Sequence, residues 1–273
     1  MRNRSLFIGA IIVSFITGLA LLSLLWTPYE PTHADAINRL AGSSLQHLLG
    51  TDRYGRDVLS QIMVGARITL LVGVVAVSVA ALIGVPLGVI AGMKRGFINT
   101  VIMRSSDIVL AFPTLLMAII FTAAFGASTV TAMIAIGIAS VPAFARVSRA
   151  ATLSIMEREF ITAARLAKKT TFFIATRHVL PNIFSIVIVQ ASIAFALAIL
   201  AEAGLSFLGL GTPPPDPSWG RMLQSAQSSL ATAPQLALWP GLFIALAVLG
   251  FNLLGDGLRD HFDPKNRKAR NVT

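Results

Sequence analysis

Long uncharged stretches dominate the hydropathy pattern of this chain. A membrane-crossing helix needs about 20 mostly apolar residues, and one of the stretches, Ile108–Ala145, is long enough for two helices joined by a turn near Gly126-Ala127-Ser128. The pattern therefore predicts an all-α membrane protein with six transmembrane helices. The five stretches are Leu6–Trp26, Ile68–Met93, Ile108–Ala145, Val179–Ala201 and Gln235–Gly255.

The first stretch follows Arg2 and Arg4, as the apolar core of a secretory signal peptide does. Its apolar run is longer than the 7–15 residues typical of such a core, and no A-x-A cleavage pattern follows it. We therefore predict an uncleaved membrane anchor.

Composition supports a lipid environment. Only 12% of the residues are charged and the mean hydropathy is +0.76, whereas soluble domains average about 25% charged. The net charge of +10 would suit nucleic acid, but the aromatic-plus-basic faces of RNA-binding proteins are missing, so we predict no nucleic-acid partner. The chain has no cysteine and its four histidines are far apart, so we predict no metal site and no bound cofactor.

The distribution of cations predicts an orientation. If the N-terminus is cytoplasmic, the cytoplasmic segments hold 17 of the 22 Lys and Arg residues, as the positive-inside rule requires. We therefore predict a multi-pass membrane protein with both termini in the cytoplasm. Residues 1–70 are the predicted N-terminal helix and extracytoplasmic segment. Residues 71–273 are the predicted five-helix core, with a cytoplasmic loop at about 146–180 and a basic cytoplasmic tail.

The predicted cytoplasmic loop contains "EFITAARLAKKTTFFIATRHVLPN", residues 159–182. Met156–Lys169 is predicted to be a helix, because it has no Gly or Pro and its residues favour helix. One face would be apolar and mostly small, formed by Phe160, Ala163, Ala164 and Ala167. Such a helix suits docking into a groove of another protein, or lying on anionic lipid; composition leaves both open.

Several segments together resemble the inner-membrane permease subunits of bacterial dipeptide, oligopeptide and nickel ABC importers. The resemblance covers nearly the whole chain and implies the type I ABC importer permease fold. The matching segments are "EFITAARLAKKTTFFIATRHVLPN", "GTDRYGRDVLSQIMVGAR" (50–67), "MRSSDIVLAFPTLL" (103–116), "AEAGLSFLGLGTPPPDPSWGRML" (201–223) and "GDGLRDHFDPK" (255–265).

The resemblance implies a non-enzymatic transport subunit. Its partners would be a second homologous permease, two cytoplasmic ATPases that bind ATP and Mg, and an extracytoplasmic substrate-binding protein. Consistent with this, the sequence has no G-x-x-x-x-G-K-[ST] phosphate loop. Peptides are the implied substrates, with nickel or another small solute as the alternative. The residues that would couple to the ATPase are Glu159, Phe160, Ala163, Ala164, Arg165 and Lys168.

This chain departs from the family's coupling motif at two positions. Thr162 stands where the family has glutamate, and Lys168 stands where it has glycine. Because a non-glycine residue disfavours the left-handed turn that glycine allows, we expect the loop to dock but the helix to continue past residue 168.

The resemblance also places sites on the opposite side of the membrane. Asp52, Arg53, Arg56 and Asp57 would lie on the face that a binding protein approaches; the alternative is a salt-linked turn. Glu202 and Trp219 are predicted to line the substrate path or outer gate, although Glu202 could instead bond to backbone or to an arginine.

Two further expectations concern the packing of the spans. Asp107 is expected to pair with Arg104, three residues earlier. The repeat of Gly84, Gly88 and Gly92 is expected to pack against a partner subunit.

The sequence fits two other functions less well. A stand-alone secondary transporter needs ionisable residues deep in its spans, and the predicted spans are nearly free of them. An intramembrane enzyme needs a Ser/His pair or paired aspartates at depth, which the sequence does not offer.

Overall fold

A computed structural model describes residues 2–262; most of these residues are helical, and the only β-type pairing among them is an isolated bridge between Thr51 and Asp57. The prediction of an all-α protein is confirmed. The predicted basic tail beyond Asp263 lies outside the described residues. The helices are α1 Arg2–Leu25, α2 Val58–Met93, α3 Phe97–Leu110, α4 Thr114–Phe125, α5 Thr129–Met156, α6 Glu159–Leu166, α7 Thr171–Phe173, α8 Leu180–Phe207, α9 Trp219–Ala226 and α10 Gln235–Phe262. A π-helix, Ile174–Val179, joins α7 to α8, and a 3-10 turn, Gln227–Ser229, follows α9.

Five helical segments are long and apolar enough to cross a membrane: α1, α2, α5, the continuous run from α7 to α8, and α10. The predicted third span is not one straight helix, because α3 and α4 meet at 85°. The break lies just before Pro113, and proline disfavours helical geometry in the residue that precedes it. With 12 residues, α4 is about 18 Å long, which is less than the hydrocarbon thickness of about 30 Å.

The direction of each helix follows from its neighbours. Gly84 lies against Phe144 and Gly92 lies against Thr152, so α2 and α5 run parallel. The chain leaves α2 at one end of the bundle and enters α5 at the other, so the bent pair α3–α4 connects the two ends and completes a sixth crossing. Leu6 lies against Gly257, which places the start of α1 beside the end of α10.

The bundle therefore has two ends. The α6 end carries α6, the connection between α2 and α3, the start of α1 and the end of α10. The α9 end carries residues 26–57, the turn between α4 and α5, and residues 208–234 with α9. The predicted domain boundary at residue 70 falls inside α2, and the division of the chain stays a prediction.

Close packing of α2 on α5 depends on three glycines. A Cβ atom at Gly88 would lie 2.4 Å from the carbonyl oxygen of Ala145, and one at Gly84 would lie 2.6 Å from the Cβ of Phe144. Gly92 meets Thr152 in the same way. The expectation that these glycines pack against a partner subunit is wrong, since α5 of the same chain occupies their surface.

Candidate functional site

The predicted helix over residues 156–169 is shorter in the structure. Helix α5 ends at Met156, and Arg158 takes an extended conformation, with φ −79° and ψ 145°. This residue turns the chain, and α6 begins at Glu159. The negative charge of Glu159 lies in the first turn, where it interacts favourably with the helix dipole.

The inner face of α6 is fixed to the bundle. Ile161 and Ala164, three residues apart, are buried in an apolar cluster with residues of α2, α5 and α8, including Val85, Phe144 and Ile183. Ala164 was predicted to belong to the docking face, and this part of the prediction is wrong. Sequence reasoning missed Ile161, although its i, i+3 spacing with Ala164 was the available signal.

The outer face of α6 is open. Phe160 is 42% exposed and Leu166 is 80% exposed, and Ala163 is exposed between them. The remaining predicted coupling residues, Glu159, Arg165 and Lys168, are also exposed. On the outer face Phe160 and Leu166 therefore flank the small side chain of Ala163, and together they form an apolar surface that a groove of another protein can bind.

Helix α6 ends in a left-handed turn at Lys168, where φ is +55°. The Lys168 N–H donates to the Arg165 carbonyl at 2.9 Å, and the Lys169 N–H donates to the Ala164 carbonyl at 3.1 Å. This pair of hydrogen bonds is the Schellman arrangement. The expectation that the helix continues past residue 168 is therefore wrong: the two hydrogen bonds hold lysine in the conformation that glycine favours.

We expect Lys168→Gly to stabilise this turn by up to about 1 kcal/mol, because the left-handed conformation costs a non-glycine residue about 1–2 kcal/mol. Hydrogen exchange at the amides of residues 168 and 169 should slow in the purified variant. Ala167→Gly is the matched control, since Ala167 has φ −72° and gains nothing from glycine. Equal or faster exchange in Lys168→Gly would contradict the assignment of strain to Lys168.

An aromatic cluster connects α6 to the entrance of α8. The Phe160 and His178 rings lie 5.9 Å apart, and the Phe173 and His178 rings lie 5.7 Å apart edge to face. His178 belongs to the π-helix, and such segments are frequent at functional sites. Phe160 and His178 therefore join α6 to the π-helix that leads into α8.

A cavity of about 640 Å³ lies between α5, α8 and α10. It reaches from the α6 end, where Arg158 and Phe262 line it, to Ile193 within α8. Six polar side chains line it, in contrast to the apolar spans around it: Ser154, Arg158, Asn182, Ser185, Gln190 and Arg259.

At the α9 end, Glu202 is buried in a local hydrogen-bond network. One carboxylate oxygen accepts from the Ser206 hydroxyl at 2.6 Å, and the Ser206 hydroxyl accepts from the Thr212 N–H at 3.0 Å. Within residues 4–262, the other carboxylate oxygen has no hydrogen-bond partner. Glu202 thus holds the loop after α8 through hydroxyl groups rather than through an arginine.

Trp219 is fully buried at the start of α9. Its Nε1–H donates to the Ile62 carbonyl at 3.0 Å, and its ring lies against Gly65 and Phe243. In this conformation Trp219 packs α9 against α2 and α10. The predicted role of Glu202 and Trp219 at the substrate path or outer gate stays a prediction.

The segment before α2 forms a compact loop around two buried carboxylates. Asp52 accepts from the Arg56 Nε at 2.7 Å and from the Tyr54 N–H at 2.8 Å. Asp57 caps α2 by accepting from the Ser60 N–H at 2.8 Å, and its other oxygen lies 3.0 Å from the His47 Nδ1. Both carboxylates are buried, so they shape this loop from beneath.

The surface of the same loop is cationic. Arg53 is exposed and its guanidinium lies 4.7 Å from the centre of the Tyr54 ring. Partial burial, together with the nearby charges of Arg56 and Arg53, lowers the pKa of Arg221 in α9. The predicted binding-protein face stays a prediction: Arg53 is its exposed member, Arg56 is partly buried and paired with Asp52, and Asp57 caps α2 beneath them.

Asp107 of α3 forms an ion pair with Arg146 of α5 at 2.6 Å. The expected pair with Arg104 is therefore wrong, because α3 and α5 bring Asp107 and Arg146 together.

In the described part of the chain, no group of three or more metal-ligating side chains could hold a metal ion.

Comparison with solved structures supports the fold. The chain is similar to a chain of the inward-facing MetNI methionine ABC transporter, with a TM-score of 0.57 and 18% sequence identity, over 77% of this chain and 94% of that one. At this identity the similarity shows the fold alone, and that fold is the type I ABC importer permease fold.

Curated relatives match at higher identity. The dipeptide transport system permease protein DppC of Alkalihalophilus pseudofirmus is 43% identical, over 97% of this chain and 87% of the relative. The glutathione transport system permease protein GsiD of Pectobacterium atrosepticum is 40% identical, over 97% and 88%. The di/tripeptide transport system permease protein DppC of Pseudomonas aeruginosa is 41% identical, over 98% and 90%.

The profile of one family matches residues 84–268, which include the bent pair α3–α4, the whole of α6 and the cavity between α5, α8 and α10. With five helices long enough to span a membrane, the bent pair α3–α4 and near full-length relatives, the chain belongs to the family of binding-protein-dependent transport system inner membrane components.

Proposed function

We propose that this chain is one of two permease subunits of an ATP-driven peptide importer. The observation that carries the proposal is α6: its inner face is fixed to three spans, and its outer face exposes Phe160, Ala163 and Leu166. Relatives named for dipeptide, di/tripeptide and glutathione transport support peptides as substrates.

The α6 end is proposed to face the cytoplasm, because most Lys and Arg residues lie in segments at that end. Two ATPase subunits would bind ATP and Mg, and one of them would contact α6. A substrate-binding protein would approach the α9 end, where Arg53 and Arg56 lie. The second permease would be a homologous chain.

The structure offers a physical route for coupling. When ATP closes the ATPase pair, α6 would move with it. Since Ile161 and Ala164 are buried against α2, α5 and α8, and Phe160 contacts His178, the movement would shift the walls of the 640 Å³ cavity. We assign this cavity to the inward-facing half of the substrate path; the packed Trp219 and Glu202 regions would then open in the outward-facing state.

Reconstitution tests the proposal. The chain would be co-expressed with its cognate ATPases and second permease, purified, and placed in liposomes with the binding protein inside or outside. We expect uptake of a labelled dipeptide, and ATP hydrolysis stimulated by the loaded binding protein, only when all components are present. Ni²⁺ uptake without peptide uptake would overturn the substrate class. Uptake by this chain alone, driven by a proton gradient, would overturn the ABC assignment.

A further inference from the structure

A second polar cavity, of about 520 Å³, lies at the α6 end between α3 and α5. We call it the arginine cavity, and its charged and amide side chains are Asn99, Arg104, Asp107, Arg146 and Arg149. It is separate from α6 and from the cavity between α5, α8 and α10, so the coupling mechanism does not account for it.

The arginine cavity has an excess of positive charge. Asp107 is its only carboxylate and is bound to Arg146 at 2.6 Å, while the Arg149 Nε donates to the Asn99 side-chain oxygen at 2.5 Å. Within residues 4–262, Arg104 forms no hydrogen bond or ion pair through its side chain. Guanidinium groups bind phosphate oxygens in pairs of parallel hydrogen bonds, so this set of side chains suits a phosphate group.

The surroundings of the cavity are apolar. Phe97 is 83% exposed, Val101 44% and Ile108 65%, and all three belong to α3. Because α3 lies at 85° to α4, it cannot run alongside α4 through the membrane. A helix with one polar and one apolar side, set at an angle to its neighbouring span, suits the boundary between headgroups and acyl chains.

We infer that the arginine cavity binds the phosphate headgroup of an anionic phospholipid, whose acyl chains lie along the apolar side of α3. Basic pockets between membrane helices bind lipid headgroups in this way. Lipid fits better than a protein partner because three guanidinium groups, one from α3 and two from α5, lie beside the exposed apolar side of α3, so charge for a headgroup stands next to a surface for acyl chains. The inference requires only that the chain lies in a membrane, and it stands or falls separately from the proposed substrate.

Native mass spectrometry of the purified full-length chain tests the inference. The protein would be loaded from micelles that contain equal amounts of phosphatidylglycerol and phosphatidylcholine. We expect one retained phosphatidylglycerol. The double variant Arg104→Gln/Arg149→Gln should weaken its binding roughly a hundredfold, because each guanidinium removed takes away a charge-assisted hydrogen bond to the phosphate that contributes roughly tenfold.

The matched control is Lys94→Gln/Arg95→Gln, which removes the same charge at the same end from two exposed residues outside the cavity. It should retain phosphatidylglycerol as the wild type does. Equal losses in the two double variants would show a general charge effect and overturn the site. Soluble glycerophosphate or inorganic phosphate would be added as competitors; displacement by either at equimolar concentration would show an anion site instead of a lipid site. Loss of the lipid on assembly with the second permease would assign the cavity to that protein.

Discussion

Replacing Ala163 with tryptophan is expected to leave the chain folded and to abolish co-purification of the ATPase. Ala163 is exposed on the outer face of α6, so a larger side chain meets no atom of its own bundle. It would instead occupy the space that an ATPase needs to approach the helix backbone. The expected result is a wild-type melting temperature in detergent together with a loss of at least about 3 kcal/mol, or roughly a hundredfold, in ATPase affinity.

The next residue provides the matched control. Ala164 is buried in the cluster with Ile161 and Ile183, and Ala164→Trp therefore forces the same large side chain into a packed interior, which costs about 3 kcal/mol or more. This variant should lose its folded population in size-exclusion chromatography. If Ala163→Trp assembled and transported normally, the outer face of α6 would not be the docking surface. If both variants lost the fold, the two faces would not differ as described.

The second large effect is expected for Gly88→Leu, which should separate α2 from α5 and lower the free energy of unfolding. The first atom of the new side chain would already lie 2.4 Å from a backbone oxygen of α5, and a backbone cannot relax as a side chain can. We expect a loss of about 3 kcal/mol or more in the free energy of unfolding, measured as a lower melting temperature in detergent. Gly88→Ala provides a smaller step along the same series if the leucine variant does not accumulate.

Gly18→Leu is the control for that series. Gly18 lies in α1 and a Cβ atom there would meet no other atom within 4 Å. Because glycine in a helix interior is less stable than other residues by roughly 0.5–1 kcal/mol, this substitution should leave the melting temperature unchanged or raise it slightly. A similar decrease for Gly18→Leu and Gly88→Leu would show that the α2–α5 contact is not the cause.

The apolar pattern predicted the spans well where the whole surface of a helix lies in lipid or core. The pattern was less informative for α6, because this helix can be packed with either of two faces inward and both faces contain apolar residues. Phe160, Ala163, Ala164 and Ala167 form one apolar face on a helical wheel, but burial selected Ile161 with Ala164. The wheel does not show which neighbour lies beside the helix.

Backbone geometry was the other source of error. Lys168 occupies a conformation that its own preference opposes, because two hydrogen bonds from the end of α6 outweigh the cost. The break before Pro113 lies within an uninterrupted apolar run, so hydropathy did not reveal it, whereas the proline itself indicates a bend. Contacts between distant residues, such as Asp107 with Arg146, depend on that bend and were equally hidden.

The bend between α3 and α4 has a consequence for how this chain can exist in a bilayer. Since α4 is about 18 Å long and the hydrocarbon layer is about 30 Å thick, α4 does not cross the layer alone. In the described part of the chain, the carbonyl groups of Ala111 and Phe112 accept no hydrogen bond, and both residues are exposed. Lipid tails cannot satisfy such groups. The break around Phe112 must therefore lie where water, headgroups or another protein reach these carbonyl groups, and a bilayer whose acyl chains surrounded this chain on every side would leave them unsolvated.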